Sequence, residues 1–520
     1  MAQASETANS AAKLLDEYLS YAPESTCDAK LNLRKQLVAC GHSAVKNAIE
    51  NYTPPDTGKR GVFSTETLCP DGQVRHYMLR IPDTYDPERR YPMMVRLHGA
   101  VFFFQHKRSK ADFNYFCKWL DEKWEEDIIV LGPSAYIPQK GKESCWWNIE
   151  GGMRNILHMI REVKRNYNID DDRVFIGGMS DGGNGSYALA TRRPDTFAGY
   201  FPFVAHPMIP MLNGVCQQWF TNLKGANIYH VSGGKDETYP GEIINRHIAR
   251  ANEQGASIIL QYYPEAGHDH TFHSVEIPKI LDTMVAKWQR DLVPKEIDWT
   301  TDTPSTGRKT WLEITEIGPL GELNTDIKPV TVVPPRVKLG IEVNRDIKEK
   351  CIVTAVPKDS VAERMKIMAG DNIVHLGEFE IPGWRALGEA MFKLPHSEPV
   401  KCVVERDGKR IELEGVFDPP LDESKPSGRV IAKRNIAVKT DATLIEMQVY
   451  DVTKLRLWVA PVMQIHGELK VVINGKEAFY SPVQPDADLI LSEFERTFDR
   501  KLPFVAAVDI DVEKILRGEE

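Results

Sequence analysis

The chain has 520 residues, of which 42% are hydrophobic, 27% charged and 9% aromatic, an average globular composition that excludes collagen, low-complexity disorder and a disulfide-stapled miniprotein. One core stops growing near about 250–300 residues, so at about 150 residues per domain three or four domains are expected. The 65 basic and 74 acidic residues leave a net charge of −9, which disfavours a polyanion and makes nucleic acid an unexpected partner.

Met1 to Ser10 lacks the basic and apolar regions of a secretory leader, so the chain as written is expected to be cytoplasmic. Ala2-Gln3-Ala4 resembles the small-residue end of a leader, and a trimmed leader would make the protein secreted or periplasmic. No run reaches the about 18 apolar residues of a membrane span. Leu14, Leu15, Tyr18 and Leu19, and then Leu33, Leu37, Ala44 and Ala48, recur at helical spacing. They predict two amphipathic helices in an N-terminal segment over 1–58, which ends in the Pro-rich stretch 53–58.

Over 59–292 short apolar runs at 93–97, 127–131, 174–176, 200–204, 228–231 and 258–263 alternate with helical patterns. Ile156, Leu157, Ile160 and Val163 mark one helix, Ile244, Ile248 and Ala251 another, and Ile277 to Trp288 a last one. This alternation predicts an α/β domain with a mostly parallel sheet flanked by helices. After Pro294 the runs become β-rich, at 310–314, 330–333, 337–343, 455–459, 469–473 and 504–508, with Asn474-Gly475 as a hairpin signal. The eight cysteines form no Cys-x-x-Cys pair, which argues against a zinc ribbon or dithiol motif and leaves disulfide pairing open.

Residues 178–182 read Gly-Met-Ser-Asp-Gly, a G-x-S-x-G pattern placed after a predicted strand and before a helix. Gly178 and Gly182 would permit the tight reversal that lifts Ser180 out as a nucleophile. A serine hydroxyl needs an imidazole base and a carboxylate to orient that base. Asp236 follows the strand at 228–231 and His268 the strand at 258–263, on the strand ends where open α/β sheets carry their sites. Glu237 and Glu265 are alternative carboxylates. Asp181, after the nucleophile, and Ala100, in the turn after the strand at 93–97, would offer backbone N–H groups to an oxyanion. The run His268-Asp269-His270-Thr271-Phe272-His273 could instead suit a metal, but no further ligand set completes a site, and no metal or cofactor is expected. Phe102, Phe103, Phe104, Trp146, Trp147, Trp219 and Phe220 crowd the expected cleft loops, with Trp147 the preferred substrate contact and His98 beside the oxyanion turn.

These pieces, with Tyr167 to Val174, Arg193-Pro194-Asp195-Thr196-Phe197-Ala198 and Gly233-Gly234-Lys235-Asp236, resemble α/β-hydrolase esterases of the polyhydroxybutyrate depolymerase, feruloyl esterase and acetylxylan esterase type. The resemblance implies a serine esterase acting on a small or polysaccharide-linked ester, with feruloyl or acetyl groups as expected acyl parts. A peptidase of the same fold is the alternative. Ala100 to Phe104 depart from the glycine or polar residues common after His-Gly in such enzymes. Residues 333–420, with Lys338 to Val343, Ile352 to Ala362 and Ala369 to Val374, resemble a PDZ domain. That likeness implies a loop at Leu339, Gly340 and Ile341 that could hold a peptide C-terminus, or a scaffold that binds such tails. Its flanks, 293–332 and 425–516, resemble one discontinuous β-sandwich-like domain attached to some esterases.

Overall fold

The computed structural model describes residues 2–23, 25–99, 127–135, 147, 149–212, 217–330, 337–419, 426–436, 443–463, 468–501 and 504–519. The N-terminal segment forms three helices, α1 (Ala2–Ser20), α2 (Asp28–Ala39) and α3 (His42–Glu50), where the apolar spacing predicts two. Gly41, at φ +84°, leaves the helical region and splits the second apolar stripe into α2 and α3.

Residues 61–263 build one eight-stranded sheet from β1 (Gly61–Leu68), β2 (Val74–Ile81), β3 (Tyr91–Leu97), β4 (Ile129–Pro133), β5 (Ile169–Met179), β6 (Gly199–Phe203), β7 (Ile228–Gly233) and β8 (Ile258–Tyr263). The spatial order is β1-β2-β4-β3-β5-β6-β7-β8. β1 and β2 pair antiparallel, as do β2 and β4, and every later pair is parallel. This is the α/β-hydrolase arrangement. β4, β6 and β7 are buried along their whole length, which is why they read in sequence as continuous apolar runs. The β1–β2 hairpin gives no such run, because β1, at the sheet edge, carries the polar stretch Ser64-Thr65-Glu66-Thr67 and from Phe63 on alternates half-buried with exposed positions.

Helices α4 (Glu150–Asn166), α5 (Asp181–Arg192) and α6 (Gly241–Glu253) flank this sheet. Ile156, Ile160, Leu189 and Ile244 fill one apolar cluster, and Phe201, Ile277 and Leu281 belong to another. The last predicted helix is α-helical only over His273–Lys279 and continues as a π-helical segment, Ile280–Val285. Pro278 interrupts it, since proline cannot donate to the helical ladder.

Residues 337–417 enclose a core of their own, including Val353, Ile373, Leu387 and Val404. Around it lie a four-stranded sheet (order 379–380, 372–376, 399–406, 409–416), a two-stranded ribbon (342–343 with 353–355) and the helix α7 (Trp384–Lys393). The predicted strand at 337–343 is thus only two residues long. The remaining strands form a five-stranded sheet containing 296–301, 428–436, 443–450, 468–473 and 476–482, and a four-stranded sheet containing 308–309, 312–317, 452–459 and 506–511. Thr310, at φ +48°, turns the chain inside the predicted strand 310–314. Asn474 and Gly475, at φ +47° and +80°, make the hairpin turn that their residue types favour. The predicted strand 330–333 leaves Val330 outside any strand, and 331–333 lie outside the described residues.

Both C-terminal sheets and helix α8 (Ala487–Thr497) share one core with α1, α2 and α3, through Leu15, Leu37, Ile49, Trp299, Ile445, Leu457 and Ile490. The N-terminal helices therefore pack as part of that β-rich unit. Cys27, Cys40, Cys69, Cys351 and Cys402 are free thiols, while Cys117, Cys145 and Cys216 lie outside the described residues. Among the described residues no helix is long and apolar enough to cross a membrane.

Candidate active site

Ser180 sits between β5 and α5 at φ +56°, ψ −121°. A non-glycine residue holds such a backbone only where its surroundings enforce it. Here the Ser180 N–H donates to the Phe203 carbonyl at 3.0 Å, and the Ser180 carbonyl accepts from the Asn184 N–H at 2.9 Å. The flanking glycines answer to close approach: a Cβ on Gly178 or on Gly182 would lie 2.3 Å from the Leu97 carbonyl oxygen. Asp181 opens α5 and is 6% exposed; the first N–H groups of a helix have no intrahelical acceptor and carry the positive end of its dipole.

Asp236, in the loop after β7, is 4% exposed. Its Oδ1 accepts the N–H groups of Thr238 and Tyr239, both at 2.8 Å, and its Oδ2 lies 2.8 Å from His268 Nδ1. The loops after β7 and β8 are joined by backbone bonds, Gly234 N–H to the Tyr263 carbonyl and Lys235 N–H to the Ala266 carbonyl, which fixes the carboxylate against the imidazole. Of the alternative carboxylates, Glu265 pairs with Lys235 and Glu237 with Arg385, both on exposed side chains.

Sequence reading missed Tyr239, which connects these groups. Its hydroxyl accepts from Asn184 Nδ2 at 3.0 Å and also meets the Ser180 side chain. Its ring stands edge-on to His268, with centroids 5.5 Å apart. Burial, reinforced by the nearby Asp181 charge, raises its phenol pKa above the ordinary value. Asn184 Oδ1 in turn accepts the His206 N–H at 2.8 Å. The local signal is the Asp236 turn: a carboxylate that binds the N–H groups two and three residues ahead folds the chain back on itself.

The expected substrate contact Trp147 stands edge-on to His98, the residue beside the expected oxyanion turn, with ring centroids 4.9 Å apart. Trp147 is 2% exposed, donates its indole N–H to the His98 carbonyl at 2.9 Å, and packs against Gly185 of α5. His98 Nε2 accepts the Ala135 N–H at 3.1 Å, and Nδ1 lies 3.0 Å from the Gly99 carbonyl. These bonds hold His98 and Gly99, the residues directly after β3. Trp219 and Phe220 are likewise buried in the core. Ala100, Phe102, Phe103, Phe104 and Trp146 lie outside the described residues. At the other predicted site, Leu339 is buried, its carbonyl accepts the Ala362 N–H at 2.8 Å, Gly340 is exposed and Ile341 half-buried.

No family model matches the chain. It is 26% identical to feruloyl esterase C of Emericella nidulans over 151 residues, 29% of this chain and 52% of that one. It is 27% identical to dipeptidyl-peptidase 5 of Porphyromonas gingivalis over 189 residues, 34% of this chain and 25% of that one. The chain thus spans a quarter to about half the length of these two curated relatives. A solved ferulic acid esterase superposes with a TM-score of 0.34 at 15% identity, over 42% of this chain and 95% of that one.

Proposed function

We propose that the chain is a serine carboxylic-ester hydrolase that works through an acyl-enzyme on Ser180. The observation that carries this reading is the 2.8 Å bond from His268 to the buried Asp236, on the sheet edge where Ser180 stands at its strained turn. Asp236 holds the His268 Nδ1–H, so Nε2 presents its lone pair. His268 takes the Ser180 proton as Oγ attacks the ester carbonyl carbon and the carbonyl electron pair moves onto oxygen. The Asp181 N–H, at the start of α5, stabilises that oxyanion, with a second donor expected in the turn after β3, at Ala100. Collapse expels the alcohol, which takes the proton from His268. Water then attacks the acyl-enzyme with His268 as base, and the acid leaves as Ser180 regains its proton.

Feruloyl or acetyl esters, carbohydrate-linked or similarly small, are the proposed substrates, supported by the likeness to feruloyl esterase C. Turnover of methyl ferulate and p-nitrophenyl acetate tests this: Ser180→Ala is expected to lose about 10⁴-fold or more in kcat. Undiminished turnover by Ser180→Ala would contradict it. The stretch similar to dipeptidyl-peptidase 5 supports a second reading, a peptidase of the same fold. Cleavage of dipeptidyl p-nitroanilides without ester turnover would select that one.

Residues 337–417 we assign to a PDZ-like module whose loop at Leu339, Gly340 and Ile341 takes a peptide carboxylate. Gly340 supports this: its φ is +71° and a Cβ there would lie 2.7 Å from Ser360 Cβ, so only glycine fits and its backbone stays exposed. The flanking β-rich unit is proposed to be β-sandwich-like. Titration with peptides bearing free or amidated C-termini tests the loop, the free carboxylate binding more tightly.

A further inference from the structure

Helix α7 of the 337–417 unit has two working faces. Leu387, Ala390 and Met391 face the unit's own core. Arg385 and Phe392, seven positions apart and so on one side of the helix, reach the catalytic unit instead. Arg385 pairs with Glu237, the residue after Asp236. Phe392 packs against the apolar core under the catalytic sheet and stacks on His206, with ring centroids 5.6 Å apart and planes 27° apart. His206 stands edge-on to Tyr239 at 5.7 Å, and Tyr239 reaches both Ser180 and His268. Phe392, Tyr239, Ser180 and His268 all keep part of their surface open.

We propose that α7 completes the substrate cleft, with Phe392 as a specificity-determining wall for a planar aromatic acyl group held next to Ser180. The rings of Phe392, His206 and Tyr239 form a continuous row that leads to the serine, and an aromatic face favours a flat ring over an aliphatic chain. A unit that follows the catalytic sheet in sequence thereby sets what the serine acts on. This rests on the esterase reading of Ser180.

The test compares methyl ferulate with methyl butyrate, which share the alcohol and differ in the acyl group, by acid release at constant pH. Phe392→Ala is expected to lower the ratio of their kcat/KM values about tenfold, the effect of one lost ring contact. Phe392→Leu, which keeps bulk against the catalytic core, should lower it similarly, whereas Phe392→Tyr should preserve it. Restoration of the ratio by Phe392→Leu would overturn the proposal and leave Phe392 a docking residue. Calorimetric titration of ferulate into full-length Ser180→Ala separates this from the esterase reading: about tenfold weaker binding in the added Phe392→Ala background supports the wall even if no ester is turned over. Equal affinity in the two backgrounds would overturn it.

Discussion

Tyr239 touches both ends of the proposed proton path, hydroxyl toward Ser180 and ring toward His268. Tyr239→Phe keeps the ring and deletes the hydroxyl, so kcat is expected to fall about tenfold with KM nearly unchanged, as for loss of one hydrogen bond in a dry site. Steady-state kinetics on methyl ferulate checks this, and an unchanged kcat would remove the tyrosine from the account. The His206 neighbour His247, 5.1 Å away ring to ring, has its pKa pushed down to about 4, first by burial and then by Arg250 and Arg246. It stays neutral in the fold while an unfolded histidine, near the ordinary 6.5, takes a proton. The unfolded chain therefore binds more protons between about pH 4 and 6.5, and stability rises with pH across that window. Urea midpoints at pH 4.5, 5.5 and 7 should climb more steeply in the wild type than in His247→Gln. Equal slopes would contradict the assignment. The apolar run before each of Asp236 and His268 put both on the same strand ends, and the fold brings the two within 2.8 Å of one another; Ser180 was singled out by its flanking glycines. Tyr239, Asn184 and His206 carry no pattern of their own, and only folding brings them together.

At the scale of elements, the strand-to-helix reversal around Ser180 leaves no room for side chains on its inner side. Gly182→Ala would push a methyl group to 2.3 Å from the Leu97 carbonyl oxygen, and the backbone shift that relieves it is expected to cost about 1–3 kcal/mol. Urea unfolding measures this, and a neutral substitution would mean that β3 and α5 are less closely packed than described. The parallel strands were readable because burial on both faces makes them apolar throughout. The short strands at 342–343 and 353–355 were not, since two or three residues are too few to show a period. The break at Gly41 is invisible to apolar spacing, which runs straight through it, although the glycine's φ of +84° ends the helix.

Across the whole molecule, the eight-stranded sheet is tied to the C-terminal unit by buried charge. Arg500 is 1% exposed; its Nε donates to Asp171 Oδ2 at 3.0 Å and its Nη1 to Asn168 Oδ1 at 2.7 Å. Lys164 meets the other Asp171 oxygen at 2.7 Å, and Arg290 joins Asp172 to Asp499 nearby. Arg500→Ala would leave Asp171 buried with one cation fewer, an expected loss of about 3–5 kcal/mol that calorimetry should register. Arg500 lies more than three hundred residues from Asp171 and Asn168 in sequence, so no local spacing announces the contact, and none announces Phe392 on His206. The central claim, that Ser180 is a nucleophile armed by His268 and Asp236, is tested most directly by treating the full chain with a fluorophosphonate and locating the adduct by peptide mass spectrometry. The account predicts one stoichiometric adduct on Ser180, with labelling at least a hundredfold slower in His268→Ala, in keeping with the about 10²–10⁴-fold worth of a general base. No adduct, or an adduct on another residue with Ser180 unmodified, would contradict it.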